Sequence, residues 1–278
     1  MWTIMLRFSK GEKKRADMNT SNQRQTYPHK VNKSTIPTCE ILGVHIAAIN
    51  MDWLLSFTGK HSQELSGDYM CVSNVHTTVT SYEDEDYRRI QNSGIMAIPD
   101  GGPLSTVGRK RGYTEMQRTT GPAYMEEILK ISEDKGYRHY FYGGTSETLQ
   151  KMEEKLKRLY PGLQIAGMYS PPFRALTEEE DAEIVKQINQ TKPDFIWVGL
   201  GAPKQERWMA AHQGILEGFM VGVGAAFDYF AENIRRAPQW MQKLNLEWLY
   251  RLLQDPKRLF KRYLVTNTKF LWLTLRDK

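Results

Sequence analysis

From Ile41 onward, short apolar runs rich in β-branched and aromatic residues alternate with longer stretches whose apolar residues recur at helical spacing. The runs predict strands over Ile41–Ile46, Tyr69–Ser73, Ile95–Ile98, His139–Tyr142, Leu163–Ala166, Asp194–Val198 and Phe219–Val223. The stretches predict helices near residues 52–65, 77–92, 121–136, 145–159, 177–191 and 203–213. Thr177 with Glu180 three residues on forms a capping box. Gly136 after Lys135 is a left-handed stop. Such alternation implies an α/β body, a Rossmann-like, mostly parallel sheet with helices on both faces. There is no internal repeat.

After about Asn233 the strand pattern ends. Asp255-Pro256 is an N-cap followed by a proline at the first helical position. Segments 237–253 and 256–275 therefore read as a basic amphipathic helical appendage. They interleave Trp240, Trp248, Tyr250, Phe260, Tyr263, Phe270 and Trp272 with Lys243, Arg251, Lys257, Arg258, Lys261, Arg262 and Lys269. Aromatics and cations on such helices suit a membrane interface. They equally suit a cap over the α/β core or a contact with a second copy, a homo-oligomer. Residues 9–36 are polar and basic and predict a disordered leader. The chain thus divides into a leader, 1–38, an α/β domain, 39–234, and an appendage, 235–278.

Charge sharpens this division. The net charge is +6, but 1–38 carries +6 and 235–278 carries +8, leaving −8 on the body between them. Basic ends suit an anionic surface, lipid or nucleic acid. No helix-turn-helix, RNP or finger pattern accompanies the charge, so nucleic acid is not expected. No run approaches the roughly 18 apolar residues that span a bilayer. Cys39 and Cys71 are the two cysteines and stand in no metal-binding spacing, which fits a reducing cytoplasm.

In open α/β sheets, ligands bind beyond the carboxyl ends of the strands. The loops there are rich in polar residues and glycine. Asn74 and Thr77 follow the second strand, and Asp100 with Gly101 and Gly102 follows the third. Gly143 and Gly144 follow the fourth. Gly199, Gly201, Lys204, Gln205 and Glu206 follow the sixth, and Asp228 lies beyond the last. Glycines let backbone approach a ligand, and helix N-termini present free N–H groups to phosphate. Either glycine loop alone is equally an ordinary strand–helix turn. Neither is a P-loop, and Gly199-x-Gly201 lacks the third glycine of the dinucleotide fingerprint. A nucleoside diphosphate fits these loops better than ATP hydrolysis or NAD. Asp100 is suited to act as general base or to cap the next helix. Arg118, before a helix start near Gly121, is suited to clamp a phosphate. Asp84 and Asp86 form a D-x-D, but they sit in a charged helix and read as a solvated face. His76 reads either as a ligand contact or as a satisfied structural histidine.

The ordered set of motifs resembles the WecG/TagA/CpsF-type glycosyltransferases over about residues 39–275. The motifs are Asn74-Val75-His76-Thr77, Pro99-Asp100-Gly101, Arg118-Thr119-Thr120-Gly121, Phe141-Tyr142-Gly143-Gly144, Pro171-Pro172-Phe173-Arg174, Gly199 through Glu206, Gly222 through Asp228, Arg236-Ala237-Pro238, Leu246 through Leu252 and Pro256-Lys257-Arg258. The resemblance implies transfer of an N-acetylmannosamine-type hexose from a UDP-sugar to undecaprenyl-diphosphate-linked GlcNAc, with no cofactor and no D-x-D metal centre. It implies a cytoplasmic enzyme, peripheral on the inner face of the membrane, serving surface-polysaccharide or teichoic acid synthesis. Asp100 matches the family's proposed base. Arg118 and Gln205 match positions proposed to hold diphosphate or sugar, and Asn74 lies in the matching pocket loop. The basic residues of the family's membrane-contacting appendage correspond here to Arg235, Arg236, Arg251, Arg258 and Arg262. The leader has no counterpart. Gly102 stands where members often carry a larger residue, which leaves donor choice open. Two rival readings stand beside it: a dinucleotide-dependent oxidoreductase, which Gly43-Val44-His45 fails to support, and a non-catalytic nucleotide-binding adaptor at the membrane.

Overall fold

The computed structural model of the chain describes residues 27–276, apart from Asn245 and the side chains of Gln239, Lys243 and Arg258. The expected leader falls mostly outside them. Residues 27–37, assigned to it on sequence grounds, instead pack on the domain, with Val31 and Ile36 buried. His29 Nδ1 lies 2.5 Å from the buried Asp68 carboxylate. Lys33 donates to the carbonyls of Asn92 and Gly94.

Eight strands form one sheet: β1 (Thr38–Ile41), β2 (Val44–Ala47), β3 (Tyr69–Ser73), β4 (Met96–Pro99), β5 (Arg138–Gly143), β6 (Gln164–Tyr169), β7 (Phe195–Gly199) and β8 (Phe219–Gly222). Their order is β1-β2-β4-β3-β8-β7-β5-β6, parallel throughout except at β1. The first predicted strand is in fact a hairpin. Leu42 and Gly43 both have positive φ, 52° and 80°, and pair Ile41 with Val44 across a two-residue loop. That is the primed turn a tight antiparallel return requires. The alternating apolar pattern continues straight through this turn, which is why it reads as one strand.

The helices are α1 (Met51–His61), α2 (Val75–Glu83), α3 (Glu85–Ser93), α4 (Gly102–Lys110), α5 (Gly121–Lys135), α6 (Ser146–Leu159), α7 (Glu178–Gln190), α8 (Lys204–Ala211), α9 (Ala226–Phe230), α10 (Gln239–Lys243), α11 (Glu247–Gln254) and α12 (Pro256–Arg276). The single helix predicted over 77–92 is two. Asp84 ends α2 in extended conformation and its carboxylate caps α3 at Tyr87 N. Helix α4 lies outside the predicted helical stretches, because its glycines and proline mask the helical period; it is the helix implied by the capping alternative for Asp100, but its N-cap is Gly101.

The inner strands send alternate residues to opposite faces, as a two-residue period demands. Met70, Val72, Phe141, Phe195, Trp197 and Val221 join a core with α1, α5, α6 and α9. Tyr69, Cys71, Tyr140, Tyr142, Ile196, Val198 and Met220 join one with α2, α4, α7, α8 and α12. Both faces are therefore covered, and the strands read as near-continuous apolar runs. The last helix, α12, lies against α2. Its Leu259, Phe270 and Leu273 are buried, and Lys269 pairs with Glu83 of α2. Among the described residues, no helix is long and apolar enough to cross a membrane.

Candidate active site

The parallel topology brings the ends of β3, β4, β5, β7 and β8 to one edge of the sheet, and the predicted loops with them. Asn74 caps α2. Its amide oxygen accepts from His76 N at 2.9 Å and Thr77 N at 3.2 Å. Thr77 returns the contact by accepting from Asn74 N at 2.8 Å. This reciprocal cap fixes the chain beside Asp100, whose own N–H donates to Ser73 O at 2.8 Å.

Asp100 leaves β4 and is part-buried. The Gly121 amide, at the start of α5, donates to its carboxyl. Burial pushes the Asp100 carboxyl above the usual range; Arg118 and Arg251 pull it down, and Glu247 pushes it up. Arg118 Nε donates to the Asp100 carbonyl at 2.8 Å, and its Nη2 donates to the Glu247 carboxylate of α11. Arg251, one turn further along α11, shares this cluster with Tyr229 and Tyr263. Burial pushes the Tyr229 hydroxyl up to about 12. The appendage thus closes over the site with a carboxylate, a guanidinium and a phenol.

The glycine loops are shaped by backbone contact. Gly143 has φ 121°, and a Cβ there would stand 2.6 Å from the carbonyl carbon of Gly199. A Cβ on Gly199 would meet the Phe227 ring at 2.7 Å. Gln205 is buried and links two loops: its Oε1 accepts from Gly201 N at 3.2 Å and Gly224 N at 3.1 Å. Its Nε2 donates to Glu206 at 2.8 Å. Glu206 is fully buried, beside the Tyr87 hydroxyl, and burial pushes its carboxyl up. Tyr87 in turn accepts from Gln91, which accepts from Ser73 Oγ at 2.6 Å. A buried polar chain therefore runs under the site from the β3 loop to the glycine loops.

The other predicted residues lie around this centre. Gly144 accepts Ser170 Oγ through its carbonyl at 2.8 Å. Lys204 is exposed at the start of α8. Asp228 closes the turn after α9, accepting from Asn233 Nδ2 at 3.2 Å. Arg235 holds Gln254 through its backbone, and Arg236 pairs with Glu126 of α5 at 3.2 Å. Arg262 faces His76, whose imidazole burial and this guanidinium hold below its usual pKa. The Arg258 side chain lies outside the described ones. Asp84 and Asp86 diverge, Asp84 to Arg207 and Asp86 to Arg89. Among the described residues, no three His, Cys, Asp or Glu side chains converge as metal ligands would. Sequence reasoning missed Glu247, Tyr229 and Tyr263. The signal present was the spacing of Glu247 and Arg251, which puts both on one face of a helix.

A sequence model of the glycosyl transferase WecG/TagA/CpsF family matches residues 39–278. An N-acetylglucosaminyldiphosphoundecaprenol N-acetyl-beta-D-mannosaminyltransferase of Bacillus subtilis (strain 168) is 30% identical over 217 residues, covering 77% of this chain and 82% of that protein. A protein of the same name from Staphylococcus aureus (strain MW2) is 28% identical over 230 residues, covering 82% and 89%.

Proposed function

Because the chain belongs to the WecG/TagA/CpsF family of glycosyltransferases, we propose that it moves an N-acetylmannosamine-type hexose from a UDP-sugar to GlcNAc-diphosphoundecaprenol. The acceptor and the sugar follow the names of its relatives. The donor follows from loops suited to a nucleoside diphosphate.

Asp100 carries the reading: a part-buried carboxyl at a strand end, flanked by two guanidiniums. As the acceptor hydroxyl attacks the anomeric carbon, its proton passes to the Asp100 carboxylate. The bond from that carbon to the UDP oxygen breaks on the opposite side, so configuration inverts. UDP departs with its electron pair, and Arg118 and Arg251 are the cations nearest to meet that charge.

A lipid-borne acceptor requires the enzyme at a membrane surface, and we place it peripherally on the inner face. Phe260, Leu264, Leu271 and Leu275 of α12 form an exposed stripe opposite its buried side. Val265, Thr268, Lys269 and Trp272 continue this open, nearly flat surface along the same helix. Basic residues there add at most about 1 kcal/mol each near an anionic leaflet.

The test is UDP release from a panel of UDP-hexoses with a lipid-diphosphate-GlcNAc analogue and EDTA, for wild type and Asp100→Asn. Acceptor-dependent release with one donor, lost in the variant, is expected. Release that survives Asp100→Asn refutes the base. Release that needs added metal returns attention to Asp84 and Asp86.

A further inference from the structure

Arg118 is the one predicted diphosphate clamp whose guanidinium is already taken by a carboxylate from another part of the chain. Its Nη2 donates to Glu247, and the two side chains are 20% and 13% exposed, so this pair is largely withdrawn from water. Its Nε is fixed on the Asp100 carbonyl at 2.8 Å. Around Asp100, two carboxyl groups, Asp100 and Glu247, face two guanidiniums, Arg118 and Arg251. The cluster carries no net positive charge to attract a diphosphate. A dianion brought beside Glu247 would meet a like charge in a partly dry site, which is costly unless one anion leaves.

We propose that Glu247 is a placeholder for the donor's diphosphate: it occupies Arg118 while the site is empty and yields it when the nucleotide binds. The exchange trades one charge-assisted contact for another at the same nitrogen. It keeps Arg118 oriented on the Asp100 loop in both states. Glu247 stands on α11 one turn before Arg251, so the exchange releases one tie of that helix while Arg251 stays beside Asp100 to meet the diphosphate. Donor binding and the Arg118–Glu247 pair then oppose each other, by the same factor in each direction. The inference rests on the UDP-sugar reading above, and its test separates the two.

The experiment is calorimetric titration of UDP into wild type, Glu247→Gln, Arg118→Gln and the double variant. Glu247→Gln keeps the shape and removes the charge. It is expected to bind UDP about fivefold or more tightly than wild type, the low end of common coupling. In the Arg118→Gln background the same substitution should bring no gain. Equal or weaker binding by Glu247→Gln overturns the inference and leaves the donor reading standing. So does a gain that persists without Arg118. No UDP binding by any protein overturns both.

Discussion

Phe270→Ala is the sharpest probe of how the appendage is held. Phe270 is 2% exposed and sits with Leu259 and Leu273 on the inner side of α12. Removing a buried phenyl ring costs about 3–5 kcal/mol where the surroundings do not collapse. The other two anchors contribute about 1.5–3 kcal/mol each by burial. One substitution therefore removes about as much as the remaining two supply. The Lys269–Glu83 pair cannot compensate, because surface ion pairs are worth about 0–1 kcal/mol. The sheet and its other helices keep their own cores, so the cost should fall on docking rather than on global stability. Hydrogen exchange should show protection lost across 256–276 while amides of β3, β7 and β8 keep theirs. Transfer to lipid-borne acceptor should fall in step. Retained protection in α12, or loss of protection throughout the sheet, would refute the reasoning.

Three further outcomes follow from the site. The Asp100 carboxyl must be ionised to act as base, and burial raises its pKa, so turnover should climb with pH through a value above the ordinary Asp figure of about 3.9. Arg251→Gln removes a cation that pulls this pKa down and should move that limb to higher pH; a limb that stays or moves lower in the pH–rate profile speaks against Asp100. Gly143→Ala places a methyl 2.6 Å from the Gly199 carbonyl carbon at φ 121° and should lower the melting temperature, with a cost on the order of 1–3 kcal/mol from the strained backbone alone. Glu206→Ala strips Gln205 of its buried acceptor, at about 1–3 kcal/mol, and should weaken UDP binding, because the Gly201 and Gly224 loops lose their common bracket; full affinity in the variant would break that link.

The sequence carried the sheet because buried parallel strands are apolar on both faces and stand out from helical spacing. It also marked Asp100 and Arg118, which the fold brings within 2.8 Å of each other, since both flank element boundaries that composition marks. It missed the β1–β2 hairpin, where Leu42 breaks no apolar pattern although its backbone reverses the chain. It merged α2 with α3 because Asp84 serves both ends and is one more charge in a polar stretch. Glu247 lies in a motif of the resemblance but is not singled out by it as a site residue, for a different reason. Its partner is 129 positions away, and only docking of α11 brings the two together. Gln205 carries a part its motif did not announce: its side chain joins two loops of its own chain.

The segment around Tyr27 and His29 is fastened where the strands begin: Tyr27 reaches Ser66, and His29 reaches Asp68, the residue before β3. Asp100 and α11 stand where the strands end. The described chain therefore enters the domain at the pole opposite the candidate site. A surface that grips the Tyr27–His29 segment would hold the protein by its back and leave the Asp100 edge of the sheet facing away.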